Sequence, residues 1–323
     1  MRYSRIVVFC WLALAPQLSA EGSRPYKGPI IDVHLHTLPL TSSVPQEFTP
    51  GGVRPVAGNG ADLLRATLAE MRRYNVVRGY VMPGTLTANF GAERAWAAQS
   101  GGLLIPGLNI VGTDENGSPP VWGDPMSLRK AVRDYRYGLL GELVLQYLGI
   151  RATDPRLAPY WALAEELDIP IGIHMGMSFP GIAYDPAARG FRSWLGNPQT
   201  LEDVLADHPK LRVYLMHAGL PFLSETIAVM HLYPQVYVDL AAIDWLWPSE
   251  HFNDYLQTLM KAGLGERIMF GSDQMIWPEG IGLAIARIND APFLTWEQKR
   301  DIFYANAVRF FRESPEPGPS PSR

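Results

Sequence analysis

Apolar positions along this chain follow two periods in turn, and the alternation repeats. Short runs rich in Val, Ile, Leu and Met have the pattern of strands buried on both faces. They occur at Ile30–His34, Val76–Met82, Leu103–Ile110, Tyr137–Leu143, Ile169–His174, Arg212–His217, Val236–Leu240 and Arg267–Phe270. Between them the spacing becomes that of an amphipathic helix. Asp62–Tyr74 places Leu64, Leu68 and Met71 at i, i+4 and i+7, and Pro155–Leu167 does the same with Leu157, Trp161, Ala164 and Leu167. Further helices are predicted over Ala92–Gln99, Ser127–Tyr135, Leu201–Asp207, Ser224–Leu232, His251–Lys261 and Trp296–Phe311. Eight strands alternating with helices predict an α/β protein, a (β/α)8 TIM barrel. A doubly wound open sheet is the competing layout. No Gly-rich dinucleotide or phosphate fingerprint opens any of the helices, which counts against it.

Three segments stand apart from this rhythm. Residues 1–20 read as an export signal: Arg2 and Arg5, an apolar run from Ile6 to Ala15, and small residues at Leu18-Ser19-Ala20 before Glu21. The run is shorter than the roughly 20 apolar residues of a membrane span, so no permanent anchor is expected. Cleavage near Ala20 would remove Cys10, the chain's one cysteine, leaving neither disulfide nor thiolate metal site. The mature protein would then be periplasmic or secreted. Thr37–Gly60 is a long Pro/Gly-rich connection, a length usually reserved for functional loops. Glu313–Arg323 is rich in Pro and Ser and is expected to be disordered. The catalytic domain is therefore placed at 21–312, as one unit.

Charge narrows the partners. A formal net charge of -4 with no Lys/Arg-rich block makes nucleic acid and anionic membrane poor candidate partners, and a small-molecule substrate is expected. Homo-oligomerisation is left open.

The candidate chemistry sits at the strand ends. His34 and His36, two residues apart on one strand, project from the same face. Alone, H-x-H is a weak metal motif. It gains weight because later strands also end in ligand-type residues: Glu142 on the fourth, His174 on the fifth, His217 on the sixth and Asp273 just after the eighth. In a TIM barrel these ends converge on one mouth, where active sites are built. Neutral imidazoles and carboxylates suit zinc or a neighbouring divalent ion.

With these residues in place the chain resembles the amidohydrolase superfamily. It is most similar to the branch that holds metal-dependent hydrolases together with aromatic-acid decarboxylases. The resemblance runs from Ile31 to about Phe311. It rests on Ile31-Asp32-Val33-His34-Leu35-His36, Ile173-His174-Met175-Gly176, Leu215-Met216-His217-Ala218-Gly219, Val236-Tyr237-Val238-Asp239-Leu240, Met269-Phe270-Gly271-Ser272-Asp273 and Ala305-Asn306-Ala307-Val308-Arg309-Phe310. It implies a distorted barrel with zinc or a similar ion at its mouth. His34, His36, His174 and Asp273 would be ligands, and Asp273 would also take a proton from the attacking water. His217 would polarise substrate beside one ion or bind a second, and Glu142 would bridge two ions or line the pocket. One ion is the first expectation.

The remaining histidines read as structural. His208 and His231 lie near helix ends, where a cation complements the helix dipole, and His251 opens a helix. Asp239 is read as a supporting carboxylate. The expected function is metal-dependent hydrolysis of an amide, ester or lactone bond. The alternative is non-oxidative decarboxylation of an aromatic acid. Arg54, Arg189 and Arg192 would then bind a carboxylate, and Trp194, Trp245, Trp247 and Trp277 would stack on a ring. A non-catalytic exported binding protein is the third reading, disfavoured by the intact ligand set.

Overall fold

The computed structural model describes residues 24–314 except 48, 50, 84–90, 113–115 and 117. The expected export signal with Cys10, and the tail beyond Ser314, lie outside the described residues. Eight parallel strands form the barrel: β1 (Ile30–Thr37), β2 (Val76–Pro83), β3 (Leu104–Leu108), β4 (Leu139–Leu143), β5 (Ile171–His174), β6 (Val213–Met216), β7 (Val236–Asp239) and β8 (Ile268–Met269). They pair in sequence order. The seam between β8 and β1 is stitched by Val33 N donating to Phe270 O at 3.0 Å and Asp273 N donating to His34 O at 2.8 Å. The open-sheet alternative is excluded by this order, which never reverses. A two-residue antiparallel pair, Val111–Gly112 with Val121–Trp122, decorates the β3–β4 connection.

Helices cover the barrel where the spacing predicts them. Gly60–Arg73 starts at Asn59, whose side chain accepts from Asp62 N while Asp62 answers through Asn59 N, and it buries Leu64, Leu68 and Met71. The Trp296–Phe311 prediction holds as Trp296–Arg300, one π turn over Asp301–Ala305, and Asn306–Phe311. One long helix, Glu279–Asp290, has no counterpart in the sequence reading, and neither do the single turns Leu145–Leu148 and Ile243–Leu246. Gly280 and Gly282, both poor helix formers, mask the long one. They are there for packing: a Cβ at Gly280 would stand 2.8 Å from the Trp245 ring, and one at Gly282 2.6 Å from Tyr74.

The barrel interior is a separate apolar cluster that includes Ile31, Val33, Tyr80, Leu139, Tyr214, Met216 and Phe310. A larger cluster fills the space between sheet and helices. Two strands change face partway along. Ile31 and Val33 point inward, and strict alternation would send Leu35 the same way. Yet Leu35 packs in the outer cluster, because the β1–β2 register shifts between Asp32 and Leu35. β4 repeats this: Leu139 is inside, Leu143 is outside, and the register shifts between Leu140 and Leu143. One extra residue reverses every side chain beyond it. These two shifts turn His34, His36 and Glu142 inward at the mouth.

The Thr37–Gly60 connection lies against the segment that follows Asp273. Val56 N donates to Ile276 O at 3.2 Å, and Trp277 Nε1 donates to Glu47 O at 2.8 Å. Among the described residues no helix is long and apolar enough to cross a membrane.

Candidate metal centre

All six strand-end residues meet at the barrel mouth, each at most 8% exposed. His34 and His36 stand with their Nε2 atoms 3.1 Å apart. His34 Nδ1 donates to Asp239 Oδ2 at 2.9 Å, and His36 Nδ1 donates to Pro83 O at 3.1 Å. Since both partners only accept, each neutral ring carries its proton on Nδ1 and presents a bare lone pair at Nε2. Two lone pairs pointed at each other repel unless a cation sits between them. Two nitrogens binding one ion at about 2.1 Å lie about 3.4 Å apart in tetrahedral geometry, near the separation seen. Asp273 Oδ1 lies 3.1 Å from His36 Nε2 and 3.8 Å from His34 Nε2. It is buried without a hydrogen-bond partner. The donor set fits a divalent cation.

Glu142 spans the rest of the site. Its Oε2 lies 3.4 Å from His36 Nε2 and 3.8 Å from His34 Nε2. Its Oε1 accepts from His174 Nδ1 at 2.8 Å and lies 3.5 Å from His217 Nε2. His217 Nδ1 donates to Ala241 O at 2.9 Å, which leaves its Nε2 as a lone pair facing His174 Nδ1 at 3.1 Å. Three triads therefore bring ligand atoms together: His34, His36 and Glu142; His34, His217 and Asp273; and Glu142, His174 and His217. The expected one-ion set of His34, His36, His174 and Asp273 is not among them. His174 joins through Glu142 and His217 instead, because it stands beyond β4 from the H-x-H pair.

Charge at the site favours a cation. Burial lowers the proton affinity of His34, but the Asp239 and Asp273 carboxylates outweigh it and hold the ring well above the usual imidazole range. Without a metal, a proton takes the cation's place. Burial pushes Glu142 up, yet His174, His217 and His34 hold its carboxyl well below the ordinary range. Asp273 is lowered in the same way, with His34 and His36 overcoming burial. His217 is raised against burial by Glu142 and Asp273, whereas burial wins at His174 and lowers it. Behind the site, burial pushes Asp32 up to about 7.

Supporting contacts fix these positions. Asp239 Oδ1 accepts from His217 N at 2.8 Å and Ala241 N at 3.2 Å. Asp32 Oδ1 accepts from His34 N and Ser272 N. Gln274 Nε2 donates to His36 O at 3.1 Å. His217 and Asp273 both sit at positive φ, +57° and +50°. Such a conformation costs a non-glycine residue about 1–2 kcal/mol, and here these backbone bonds hold it.

Other expected residues are not among these triads. His208 pairs with Glu165 at 2.9 Å, while His231 and His251 are exposed. Trp245 is buried and bonds Ser272 O at 2.7 Å. Trp277 is tied to the Thr37–Gly60 connection, as described above. Trp194 lies under the Arg151 guanidinium at 4.5 Å. Arg54, Arg189 and Arg192 are exposed. Gln274 and Tyr147, which touch the site residues, carry no signal beyond following a site strand.

Known proteins share this fold. The fluG protein of Emericella nidulans is 25% identical over 116 residues, a stretch covering 35% of this chain and only 13% of that protein. Among solved structures, an uncharacterised TIM-barrel protein from Bordetella bronchiseptica superposes with a TM-score of 0.62 at 18% identity, covering 88% of this chain and 98% of that one. A probable 2-pyrone-4,6-dicarboxylic acid hydrolase from Acinetobacter baumannii, with citric acid bound, gives 0.60 at 13% identity over 88% and 99%. A 5-carboxyvanillate decarboxylase from Novosphingobium aromaticivorans, with bound manganese, gives 0.52 at 14% identity over 76% and 80%. Hydrolases and decarboxylases thus share this fold. The amidohydrolase family model matches residues 31–312, nearly the whole described barrel with all six site residues. The chain is an enzyme of the amidohydrolase family.

Proposed function

We propose that this enzyme hydrolyses an ester, lactone or amide bond of a small molecule at a divalent cation, zinc by preference. The cation would be held by His34, His36 and Asp273, with Glu142 beside them. The observation that carries the reading is the facing pair of Nε2 atoms on His34 and His36, 3.1 Å apart, with both Nδ1 atoms engaged by acceptors. When bound, a divalent ion brings the pKa of a water it polarises from 15.7 to roughly 7 and stabilises negative charge on a carbonyl oxygen.

The chain's own groups supply the proton handling. Asp273, ionised and short of a hydrogen-bond partner at Oδ1, accepts the proton of the attacking water and returns it to the leaving group. His217, its Nδ1 held by Ala241 O, turns Nε2 toward the site and, once protonated there, donates to the oxygen on which charge develops. Glu142 keeps His174 and His217 in place. The test is metal analysis of purified protein together with turnover on a panel of esters, lactones and amides. Less than one divalent ion per chain, with His34→Ala as active as wild type, would sink the reading.

Decarboxylation of an aromatic acid is the second reading, supported by the fold shared with the manganese-containing decarboxylase. There His217 would protonate the ring carbon as CO2 leaves. Steady CO2 release from hydroxybenzoates, with no ester, lactone or amide turnover, would reverse the ranking. A second ion at Glu142, His174 and His217 would occupy His217 Nε2, since Nδ1 is taken by Ala241 O, and so would end the proton-donor role given to His217 in both chemistries. Residues 1–20 are proposed as an export signal to the periplasm. Sequencing of protein recovered from that compartment would then begin at Glu21.

A further inference from the structure

Tyr147 takes no part in the reading above, yet it touches the centre from a side the H-x-H pair does not. It lies on the short helix Leu145–Leu148, immediately after the strand that delivers Glu142. Its half-buried ring meets the His174 imidazole edge to face, centroids 4.8 Å apart at 80°. The ring also meets Phe191 at 5.1 Å and 79°. Its hydroxyl donates to Ser178 Oγ at 2.7 Å.

The partners of Tyr147 belong to one loop. The chain leaves His174, runs out through Ser178 and Phe191, and returns to a neck between Gly176 and Gly196. A Cβ at Gly196 would stand 2.5 Å from Gly176 N. Gln146, next to Tyr147, fastens that neck: its Nε2 donates to Gly176 O at 2.7 Å and to Arg192 O at 3.4 Å. The loop body exposes Met177, Phe179, Tyr184 and Trp194. With its ends pinched together and its body at the mouth, this is an Ω-type loop, a form that often carries function.

We propose that Tyr147 is a positioning residue with two separable parts. The ring holds the His174 imidazole with Nδ1 toward Glu142. The hydroxyl, through Ser178, holds the 177–195 loop over the mouth, where substrate must pass. The inference rests on the metal reading only for the ring.

Three variants separate the parts. Tyr147→Phe and Ser178→Ala remove the hydroxyl contact and leave a ring against His174, whereas Tyr147→Leu removes the ring. Zn2+ affinity is measured by competition with a chromophoric chelator, and loop opening by the rate of chymotryptic cleavage after Tyr184 and Trp194, both exposed. Acting through His174 on Glu142, which stands beside the ion, Tyr147→Leu is expected to weaken Zn2+ binding about tenfold, the lower end for groups that support a metal site, with Tyr147→Phe within about twofold of wild type. Tyr147→Phe and Ser178→Ala are each expected to be cleaved about fivefold faster, the population change that goes with losing one hydrogen bond. Unchanged Zn2+ affinity in a folded Tyr147→Leu protein, or an equal loss in Tyr147→Phe, overturns the ring's role. Unchanged cleavage in Tyr147→Phe and Ser178→Ala overturns the hydroxyl's. A wild-type chain that binds no Zn2+ overturns the metal reading and the ring's role with it, while the cleavage rates still decide the loop.

Discussion

Asp239 grips His34 and His217 with one carboxylate. Oδ2 accepts the Nδ1 proton of His34 at 2.9 Å, and Oδ1 accepts the backbone N–H of His217 at 2.8 Å. The first bond selects the tautomer that bares Nε2 toward the metal position. The second holds a left-handed backbone that the residue would not choose alone. Asp239→Asn keeps the shape but must turn its amide either way: the NH2 group faces His34 or faces the His217 N–H. Residues that orient metal ligands typically contribute 10–100-fold in affinity, and a loss of roughly that size in Zn2+ binding is expected. Isothermal titration decides, and a Kd within about twofold of wild type would remove Asp239 from this role.

Metal removal reads out the centre without any substrate. A ligand that binds only the folded state at 100 times its Kd adds about 2.7 kcal/mol of stability. For a domain of this size that corresponds to a rise of about 5–10 °C in the melting temperature. The protein treated with a chelator is expected to melt lower by that amount and to recover on adding Zn2+ or Mn2+. His34→Ala combined with His36→Ala should melt at one temperature with or without metal. A shift that persists in this double variant would place the responsive site elsewhere.

The repeat of strands and helices was legible because burial on both strand faces and on one helix face leaves opposite periods in the sequence. The ligand residues were legible because they close those strands. The faces of those residues were not. On strict alternation His34 and His36 would lie opposite Ile31 and Val33, away from the barrel axis, and only the register shift before Leu35 turns them inward. The same holds for Glu142 against Leu139. A register shift is a property of two paired strands and has no mark on either one. His174 shows a related limit. Its place at a strand end was readable, but its partnership with Glu142 and His217 rather than with His34 and His36 depends on where neighbouring strands stand around the barrel. Glu279–Asp290 was hidden for another reason, since its two glycines serve contacts with Trp245 and Tyr74 against helix propensity.

Asn306 ties the last helix to the barrel's closing strand. It is fully buried, and its Nδ2 donates to Gly265 O at 2.8 Å and Ile268 O at 2.6 Å. Asn306→Ala leaves both carbonyls without this donor in a site that water enters poorly. The expected destabilisation is about 1–3 kcal/mol, read as a lower urea midpoint at unchanged slope. Unchanged metal binding in the same variant would confirm that the effect is local to the closure. A midpoint equal to wild type would show that other donors replace it.

Glu93 should make stability depend on pH away from the metal centre. Its carboxylate is fully buried under β2 and β3, accepting from Gly91 N and from the Tyr137 hydroxyl at 3.0 Å. Burial raises its pKa above the ordinary 4.5, and these bonds do not fully offset that. Between the ordinary and the raised value the folded protein therefore holds a proton that the unfolded chain has released. Stability must fall as pH rises through that window, and the cost is complete above the raised pKa. Glu93→Gln stays neutral throughout, so its advantage over wild type is expected to be smallest near pH 4 and to grow to a plateau toward pH 8. Urea midpoints measured across that range test this. An advantage that is flat, or largest in acid, would mean that the carboxylate is accommodated in its charged form.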